Sequence, residues 1–486
     1  MNFNSLQYLV FLAANVLLYY LLPRRARNVQ LLAASYYFYM CWNPTYALLM
    51  LFSTAVTYGC GLLVGKNFWG KRRLWVALSL VLNLGVLFFF KYYNFSANVI
   101  TRGLDFLGLH MEIPFLDVLL PVGISFYTFQ ALGYTIDVYR KDIEAERNFI
   151  NYALFISFFP QLVAGPIERS GNMLHQLKEY HSFQFENLKA GVLPVLWGLF
   201  KKVVIADNLA VVVNQVYNNP QGQTGGAFAV ATVAFAFQIY CDFSAYSDIA
   251  RGSARMLGYR LMENFNCPYF AVSIRDFWRR WHISLSSWFK DYLYFPLGGS
   301  RCKKWRTCLN VMIVFFVSGL WHGAALTFVA WGLLNGLYQV VSLLLNPLRK
   351  KAMALFHLGE DNPLVRVFRV CFTFFLTCMA WVLFRANSLT DALTAYRAIF
   401  SIPLRGLEGT LASLGNVGTR TWIMLVGCVI ALVVVDWLVA RFQADQKLNQ
   451  TVFLRYGVYF LLVVTILLFG SYGEGYDPQD FVYFQF

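Results

Sequence analysis

The feature that most constrains this chain is a series of apolar runs of about 20 residues, which recur from Gln7 almost to Gly470. A bilayer core of roughly 30 Å requires about 20 apolar residues per helix, so each run predicts a membrane-spanning helix. Hydrophobic residues make up 58% of the 486 residues and charged residues 13%, a composition atypical of soluble domains. The sequence therefore predicts an all-α polytopic membrane protein with about eleven to thirteen transmembrane or re-entrant helices.

The basic residues lie mainly in short loops between the apolar runs, and the formal net charge is +15. This distribution follows the positive-inside rule and favours a membrane setting over a nucleic-acid partner. Three basic clusters, in residues 24–27, 66–73 and 140–147, can all face the cytoplasm if the N-terminus lies outside. The first apolar run, residues 8–22, lacks a basic flank and a cleavage site, so we expect a retained first span rather than a signal peptide.

We expect residues 1–486 to form a single membrane-embedded domain, because no Pro/Gly/Ser-rich linker divides the sequence. Two stretches interrupt the apolar pattern. Residues 165–183 are polar and follow a short, Pro-containing apolar run, residues 149–164, which favours a re-entrant or tilted element. Residues 268–306 are aromatic and basic rather than continuously apolar.

The nine cysteines show neither metal-ligand spacing nor a paired disulfide pattern. Most of them lie in or beside apolar segments, where cysteine behaves as a small hydrophobic residue. We therefore predict no metal site and no permanently bound cofactor.

The segment that begins at Arg275 has the periodicity of an amphipathic helix. The apolar stripe consists of Phe277, Trp281, Leu285, Trp288 and Tyr292. The opposing polar stripe consists of Arg275, Arg279, His282, Ser286 and Lys290. This pattern predicts an interfacial helix with aromatic rings at headgroup depth and polar groups towards water. Its basic residues, Arg279 and Arg280 among them, can attract either anionic lipid or the phosphates of a soluble donor such as coenzyme A.

A single histidine, His322, lies in a stretch between Arg306 and Arg349 that contains no Asp, Glu, Lys or Arg. An ionisable side chain at membrane depth is costly, which favours a functional role. The other interpretation is a core histidine whose ring bonds to a neighbouring carbonyl.

Several strings of this sequence resemble the membrane-bound O-acyltransferase (MBOAT) family, and within it the bacterial alginate O-acetylation branch. The strings are PVGISFYTFQALGYTIDVYR, LVAGPIERS, YCDFSAYSDIARG, MENFNCPYFAVSIRDFWRRWHISLSSWFKDYLYFPLGG, SGLWHG and the terminal FVYFQF. The resemblance implies a many-helix bundle around a water-accessible central channel. It also implies acyl transfer from a cytoplasmic thioester donor towards an extracytoplasmic acceptor. The family's catalytic histidine falls on His322, and its second histidine falls on His282.

The proposed chemistry suits an imidazole. A neutral histidine, with an ordinary pKa of about 6.5, can accept the proton of an acceptor hydroxyl as that oxygen attacks a thioester carbonyl. A covalent acyl-histidine relay is equally compatible with the sequence. Candidates for stabilising the oxyanion are Asn310, Ser318 and Trp321, which are close to His322 in sequence only.

Other polar residues have structural interpretations. Asp242 and Asp248 are about 240° apart on a helix, so structural hydrogen bonding or contact with Arg251 is favoured over acid–base catalysis. Glu168 and Arg169 can cap a re-entrant turn or line a channel. A cytoplasmic boundary is indicated by Asp137, Tyr139 and Arg140.

The resemblance implies that the donor substrate is acetyl-CoA and that the acceptor is a cell-surface or exported polysaccharide such as alginate or peptidoglycan. We expect the chain to lie in the bacterial inner membrane and to work with a separate SGNH-type acyltransferase. Two alternatives are D-alanyl transfer to teichoic acid from a carrier protein, and a transporter or flippase without transfer chemistry. The sequence shows no inverted repeat of the kind found in many transporters.

Overall fold

A computed structural model describes residues 1–111, 113–163, 165–355, 359, 362–401, 410, 414, 418–442, 451–472 and 481. Within these residues the regular secondary structure is helical. The α-helices, in chain order, are α1 (Leu6–Leu21), α2 (Arg24–Met40), α3 (Pro44–Gly65), α4 (Arg72–Leu87), α5 (Tyr93–Phe106), α6 (Ile124–Arg140), α7 (Phe149–Ser157), α8 (Ser170–Lys178), α9 (Phe185–Leu199), α10 (Asp207–Tyr217), α11 (Gly225–Met256), α12 (Ile274–Arg280), α13 (Ile283–Phe289), α14 (Lys304–His322), α15 (Leu326–Leu355), α16 (Pro363–Arg385), α17 (Leu389–Phe400), α18 (Thr419–Phe442) and α19 (Val452–Phe469).

Seven helical segments of the described chain are long and apolar enough to cross a membrane. They are Pro44–Gly65, Arg72–Phe106, Gly225–Met256, Leu326–Lys351, Pro363–Arg385, Thr419–Phe442 and Val452–Phe469. The predicted all-α polytopic membrane class is therefore confirmed. The other described helices are shorter or more polar, so the count of eleven to thirteen transmembrane or re-entrant helices stays a prediction, as does the central channel.

The chain divides into two compact units, and the prediction of a single domain stays a prediction. The first unit comprises Met1–Val195 and Tyr246–Met262, and the second comprises Leu196–Ala245 and Glu263–Phe486. In the first unit, the hydroxyls of Tyr8 and Ser253 are 2.8 Å apart and join α1 to the C-terminal part of α11. Buried hydrogen bonds of this kind hold helices together where apolar packing alone is weakly directional.

The apolar run of residues 149–164 forms only a nine-residue helix, α7, followed by a turn; Ala164 lies outside the described residues. At 1.5 Å per residue, α7 is about 14 Å long, which is too short to cross a bilayer core. Its N-cap is Asn148, whose side chain accepts hydrogen bonds from the backbone N–H groups of Ile150 and Asn151. The finding agrees with the interpretation of this run as something other than a complete span.

The predicted amphipathic helix beginning at Arg275 is wrong in two respects. The segment forms two short helices, α12 and α13, separated by Trp281 and His282, and His282 has a left-handed backbone with φ of 44°. Both of these residues are fully buried, so neither the aromatic stripe nor His282 lies where the prediction placed it. The backbone break rotates α13 relative to α12, and a uniform helical periodicity cannot anticipate that rotation.

Candidate active site

His322 is placed by the close crossing of α14 and α15. A Cβ atom added at Gly319 would lie 2.4 Å from the backbone oxygen of Phe328, and one added at Gly332 would lie 2.3 Å from that of Phe315. The two helices thus touch through their backbones, which only glycine permits at these positions. Because α14 ends at His322, this crossing fixes the position of the imidazole within the second unit.

The His322 ring is buried, with 2% of its surface exposed, and its tautomer follows from one contact. Nδ1 lies 2.7 Å from the backbone oxygen of Ser318. A carbonyl oxygen can only accept, so Nδ1 carries the hydrogen and Nε2 carries the lone pair of the neutral ring. The interpretation as a core histidine finds the neighbouring carbonyl that it requires, and the catalytic role of His322 stays a prediction.

His282 is held by Asn264 in the loop before α12. The Asn264 side-chain oxygen lies 3.1 Å from Nδ1 of His282, 2.8 Å from the Ser284 hydroxyl and 3.3 Å from the Ser284 backbone nitrogen. A backbone N–H can only donate, which identifies the Asn264 atom as the oxygen. Nδ1 of His282 must then donate as well, so Nε2 carries the lone pair in this histidine too.

The two imidazoles lie in one aromatic cluster. Their ring centroids are 6.5 Å apart, and their planes are nearly perpendicular, at 84°. Trp321 contacts both rings, at 5.8 Å from His282 and 5.0 Å from His322. The other ring neighbours are Phe243, at 4.6 Å from His282, and Trp331 and Phe384, at 4.7 Å and 5.7 Å from His322. The two histidines that the motifs singled out, 40 residues apart in sequence, are therefore neighbours in space.

The electrostatics of this cluster favour the neutral form of the His282 imidazole. Burial lowers the pKa of His282 well below 6.5, its ordinary value, and the nearby His322 ring lowers this pKa further. Burial acts in this direction because the charged form loses its hydration, and a second ring that can become positive adds repulsion. His282 is therefore neutral at physiological pH and keeps the lone pair on Nε2.

The two predicted donor-binding residues, Arg279 and Arg280, differ in solvent exposure. Arg279 is exposed on α12. Arg280 is partly buried, and its Nε lies 3.1 Å from Oδ1 of Asp276, one helical turn earlier. Of the two arginines, Arg279 thus has the solvent access that an anionic ligand requires.

The three candidates for stabilising the oxyanion, Asn310, Ser318 and Trp321, differ in their contacts. The side-chain amide of Asn310 donates to the backbone oxygens of Leu297 and Gly299, at 3.1 Å each, so its hydrogens are used in the preceding loop. Ser318 acts through its backbone oxygen on His322. Trp321 remains beside both imidazoles.

The remaining polar candidates have partners that hold helices and loops. Asp242 lies 2.8 Å from Nζ of Lys202, an ion pair in the second unit that the sequence did not predict. In the first unit, Glu168 is buried and accepts hydrogen bonds from the Met262 backbone and the Asn172 side chain. Asp137 accepts a hydrogen bond of 2.7 Å from the Ser170 hydroxyl.

Sequence reasoning missed the residues that support the histidines, namely Asn264, Phe243 and the Trp331–Phe384 pair. The only available signal was their position in the strings NFNCPYF (Asn264), YCDFSAYS (Phe243), FVAWG (Trp331) and AWVLFR (Phe384), which carry no recognisable spacing relative to either histidine. Over the described part of the chain, no group of three or more His, Cys, Asp or Glu residues could hold a metal ion. The arrangement is thus two buried imidazoles in an aromatic setting, each with Nδ1 bonded to an oxygen acceptor, which is suited to proton transfer from a hydroxyl.

Comparison with known proteins gives matches along most of the chain. A family model described as MBOAT, membrane-bound O-acyltransferase family, matches residues 145–384, the segment that contains both histidines. The chain is 39% identical over 408 residues to the probable alginate O-acetylase AlgI of Azotobacter vinelandii, which covers 82% of this chain and 78% of that protein. It is 34% identical over 427 residues to the peptidoglycan O-acetyltransferase of Helicobacter pylori, with 81% and 78% covered.

A more distant relative is the teichoic acid D-alanyltransferase of Streptococcus thermophilus, which is 28% identical over 234 residues, with 46% of this chain and 56% of that protein covered. The resemblance read from the sequence motifs is confirmed. The catalytic role of the two buried histidines stays a prediction, whereas membership of the family rests on similarity along most of the chain. On that similarity, and on the seven apolar helices among the described residues, the chain belongs to the membrane-bound O-acyltransferase family and is a multi-pass membrane acyltransferase.

Proposed function

We propose that this chain transfers an acetyl group from cytoplasmic acetyl-CoA across the bacterial inner membrane for O-acetylation of a cell-surface or exported polysaccharide. The proposal rests on one structural observation, the pair of buried imidazoles whose Nδ1 atoms are both committed to oxygen acceptors. It is supported by the names of the relatives, which are described as alginate and peptidoglycan O-acetylating proteins. A transporter without transfer chemistry does not fit membership of an acyltransferase family.

His322 is the general base in this proposal. Its Nε2 takes the proton of the acceptor hydroxyl while the hydroxyl oxygen forms a bond to the thioester carbonyl carbon. The tetrahedral intermediate then collapses, the carbon–sulfur bond breaks, and the proton on Nε2 passes to the leaving coenzyme A sulfur. The products are an acetyl ester and free coenzyme A thiol. A positioned base of this kind contributes about 10²- to 10⁴-fold to the rate.

His282 is the second imidazole of the site. Its Nε2 is an acceptor because Asn264 fixes the hydrogen on Nδ1. It can therefore accept a hydrogen bond from the acceptor hydroxyl or from a water next to it, and so orient the group that His322 deprotonates. The two ring centroids are 6.5 Å apart, which is close enough for both imidazoles to contact one reacting group.

The donor and the partner complete the proposal. Exposed Arg279 binds the phosphates of acetyl-CoA, and Arg280, held by Asp276, supports the local backbone of α12. A separate SGNH-type acyltransferase outside the membrane delivers the acetyl group to the polysaccharide. The alternative donor is a D-alanyl carrier protein, favoured only by the lower similarity to the teichoic acid D-alanyltransferase.

The test is the O-acetyl content of surface polysaccharide in cells that produce the wild-type protein or His322→Gln at equal membrane abundance. Glutamine preserves size but cannot act as a base, so we expect O-acetyl content to fall at least 10²-fold. Cys378→Ala, a buried change in α16, is the control and should retain acetylation. Unchanged O-acetyl content in His322→Gln would contradict the proposal.

Donor identity is tested separately in inverted membrane vesicles, which expose the cytoplasmic side. Wild-type vesicles given radiolabelled acetyl-CoA should release coenzyme A thiol and accumulate label, whereas His322→Gln vesicles should do neither. Label transfer from a D-alanyl carrier protein, but not from acetyl-CoA, would favour the alternative donor. Label trapped on His322 itself and released by hydroxylamine would favour the acyl-histidine relay over base catalysis.

A further inference from the structure

The second unit contains a buried ionic cluster that the proposed chemistry does not use. Nζ of Lys202 lies 2.8 Å from a carboxylate oxygen of Asp207 and 2.8 Å from one of Asp242. Next to it, Nζ of Lys201 donates a 2.6 Å hydrogen bond to the hydroxyl of Ser244. All five side chains are at most 3% exposed.

The local backbone explains how two adjacent lysines reach one helix. Residues Phe200–Ala206 form a π-helical segment between α9 and α10, which widens the turn and directs neighbouring side chains to the same region. Their partners, Asp242 and Ser244, are the residues on either side of Phe243 in α11. The lysines therefore hold α11 immediately before and immediately after Phe243.

Phe243 connects this cluster to the candidate active site. Its ring centroid is 4.6 Å from that of His282, with the planes at 86°. The same ring contacts Phe265 at 5.0 Å and Phe481 at 5.7 Å; Phe481 begins the terminal FVYFQF, whose other residues lie outside the described part of the chain. Phe243 is fully buried, so any rotation of α11 moves a wall of the His282 pocket.

We propose that Lys201 and Lys202 are positioning residues which, by holding Asp242 and Ser244, fix Phe243 against the ring of His282. We call these four polar residues the lysine clamp. The inference rests on the proposed role of His282 in acyl transfer. The lysine clamp acts through Phe243 and does not itself touch the reacting groups.

Stability alone is a poor explanation for the lysine clamp. Removing charged groups from water costs as much as, or more than, their mutual attraction returns, and apolar residues of similar size often stabilise a core equally well. Ionisable residues within apolar helical regions are rare for the same reason. A charged cluster is, however, strongly directional, and it can set the rotation of α11 where apolar packing would allow several rotations.

The test is a double-mutant cycle of Ser244→Ala and Phe243→Leu, measured as coenzyme A release from acetyl-CoA in inverted vesicles. We expect each single change to lower kcat about tenfold with the KM for the donor within about twofold, because small displacements of a catalytic group mainly affect the chemical step. The double variant should lose little more than the worse single variant, because both changes act through one contact.

Two matched controls use the same helix. Thr232→Val removes an equally buried hydrogen bond, the 2.7 Å contact with the Tyr217 hydroxyl, about 18 Å earlier along α11. Phe228→Leu replaces a buried aromatic ring that contacts Tyr217 rather than His282 with a smaller side chain. Both controls should keep kcat near the wild-type value. Multiplied losses in the double variant, or equal losses in the controls, would overturn the inference.

A second readout does not depend on the donor. The rate at which diethyl pyrocarbonate modifies His282, measured by peptide mass spectrometry, should be low in the wild type and rise at least fivefold in Ser244→Ala. Exposed His175 provides the internal standard. Unchanged protection of His282 in Ser244→Ala would overturn the inference whatever the activity assay shows.

The ion pairs of Lys202 are tested with the triple variant Lys202→Met, Asp207→Asn and Asp242→Asn, which removes this lysine together with both of its carboxylate partners and leaves the hydrogen bond of Lys201 to Ser244 in place. We expect membrane abundance close to wild type, with kcat lowered about tenfold and His282 exposed to diethyl pyrocarbonate. A triple variant with normal kcat and normal protection would contradict the inference. A wild-type protein that releases no coenzyme A would instead contradict the proposed function, and the modification experiment would still decide on the lysine clamp.

Discussion

His282 and His322 lie with their ring centroids 6.5 Å apart and their planes at 84°, and each donates its Nδ1 hydrogen to an oxygen acceptor. The acceptor of His322 is a backbone carbonyl one helical turn earlier, whereas that of His282 is the side chain of Asn264. The first anchor cannot be removed by substitution at Ser318, but the second can be changed with a single residue. This difference makes Asn264 the sharper test of how the pair works.

Replacement of Asn264 by leucine should lower kcat about 10- to 10²-fold, because His282 loses the acceptor that fixes its tautomer. Asn264→Asp keeps an oxygen acceptor for both His282 and Ser284, so we expect it to retain more activity than the leucine variant. Coenzyme A release at equal membrane abundance measures both. Equal activity of the two variants would show that the hydrogen bond to Nδ1 does not matter.

The crossing of α14 and α15 should tolerate no side chain at Gly319. An alanine there places Cβ 2.4 Å from the Phe328 backbone oxygen, and overpacking of this kind costs about 1–3 kcal/mol. We expect Gly319→Ala to lower the midpoint of thermal unfolding in detergent and to reduce activity by displacing His322. The control is Gly427→Ala in α18, where nothing lies within 4 Å of the added atom, and a neutral or slightly raised midpoint is expected. Similar behaviour of the two variants would contradict the crossing.

The two neighbouring arginines of α12 should differ in function. Arg279→Gln should raise the KM for acetyl-CoA several-fold with little change in kcat, because an exposed cation that binds phosphate contributes mainly to ground-state binding. The effect should shrink at high salt, which screens exposed charges. Lys304→Gln, which removes an exposed positive charge at the start of α14, is the matched control and should leave KM unchanged. A KM that rises equally in both variants would indicate a general surface potential instead of a site at Arg279.

The stability of the protein should depend on pH through Glu168. Burial raises the pKa of Glu168 from 4.5 to about 7, although hydrogen bonds from the Met262 backbone and the Asn172 side chain oppose the shift. The folded protein keeps the proton up to about pH 7, whereas the unfolded chain releases it near pH 4.5. Stability from this residue therefore falls as pH rises from 4.5 to 7 and is level outside that window.

Glu168→Gln removes this dependence, because glutamine does not ionise. We expect the thermal unfolding midpoint of the wild type to fall more between pH 5 and pH 8 than that of the variant. Glu179→Gln, at a half-exposed carboxylate after α8, is the control and should change the pH dependence little. Parallel curves for wild type and Glu168→Gln would show that the carboxyl is ionised throughout.

Composition, hydropathy and motifs by themselves determined the membrane class, the helical architecture, the family resemblance and the choice of His322 and His282. These are local properties, because a run of apolar residues predicts a helix in a bilayer wherever its neighbours lie. The same local reasoning erred at His282, which a regular helical period placed on a water-facing stripe. A left-handed residue interrupts that period, and the ring is buried.

Only the tertiary structure decided what surrounds the two histidines. Asn264 reaches His282 across 18 residues, and Lys201 reaches Ser244 across 43, distances over which sequence periodicity carries no information. Both contacts depend on how helices and loops pack. A small change in that packing would bring a different residue against His282 or Lys201. Apolar patterning selects which surfaces are buried, but the directional bonds that fix an imidazole tautomer exist only once those surfaces have been brought together.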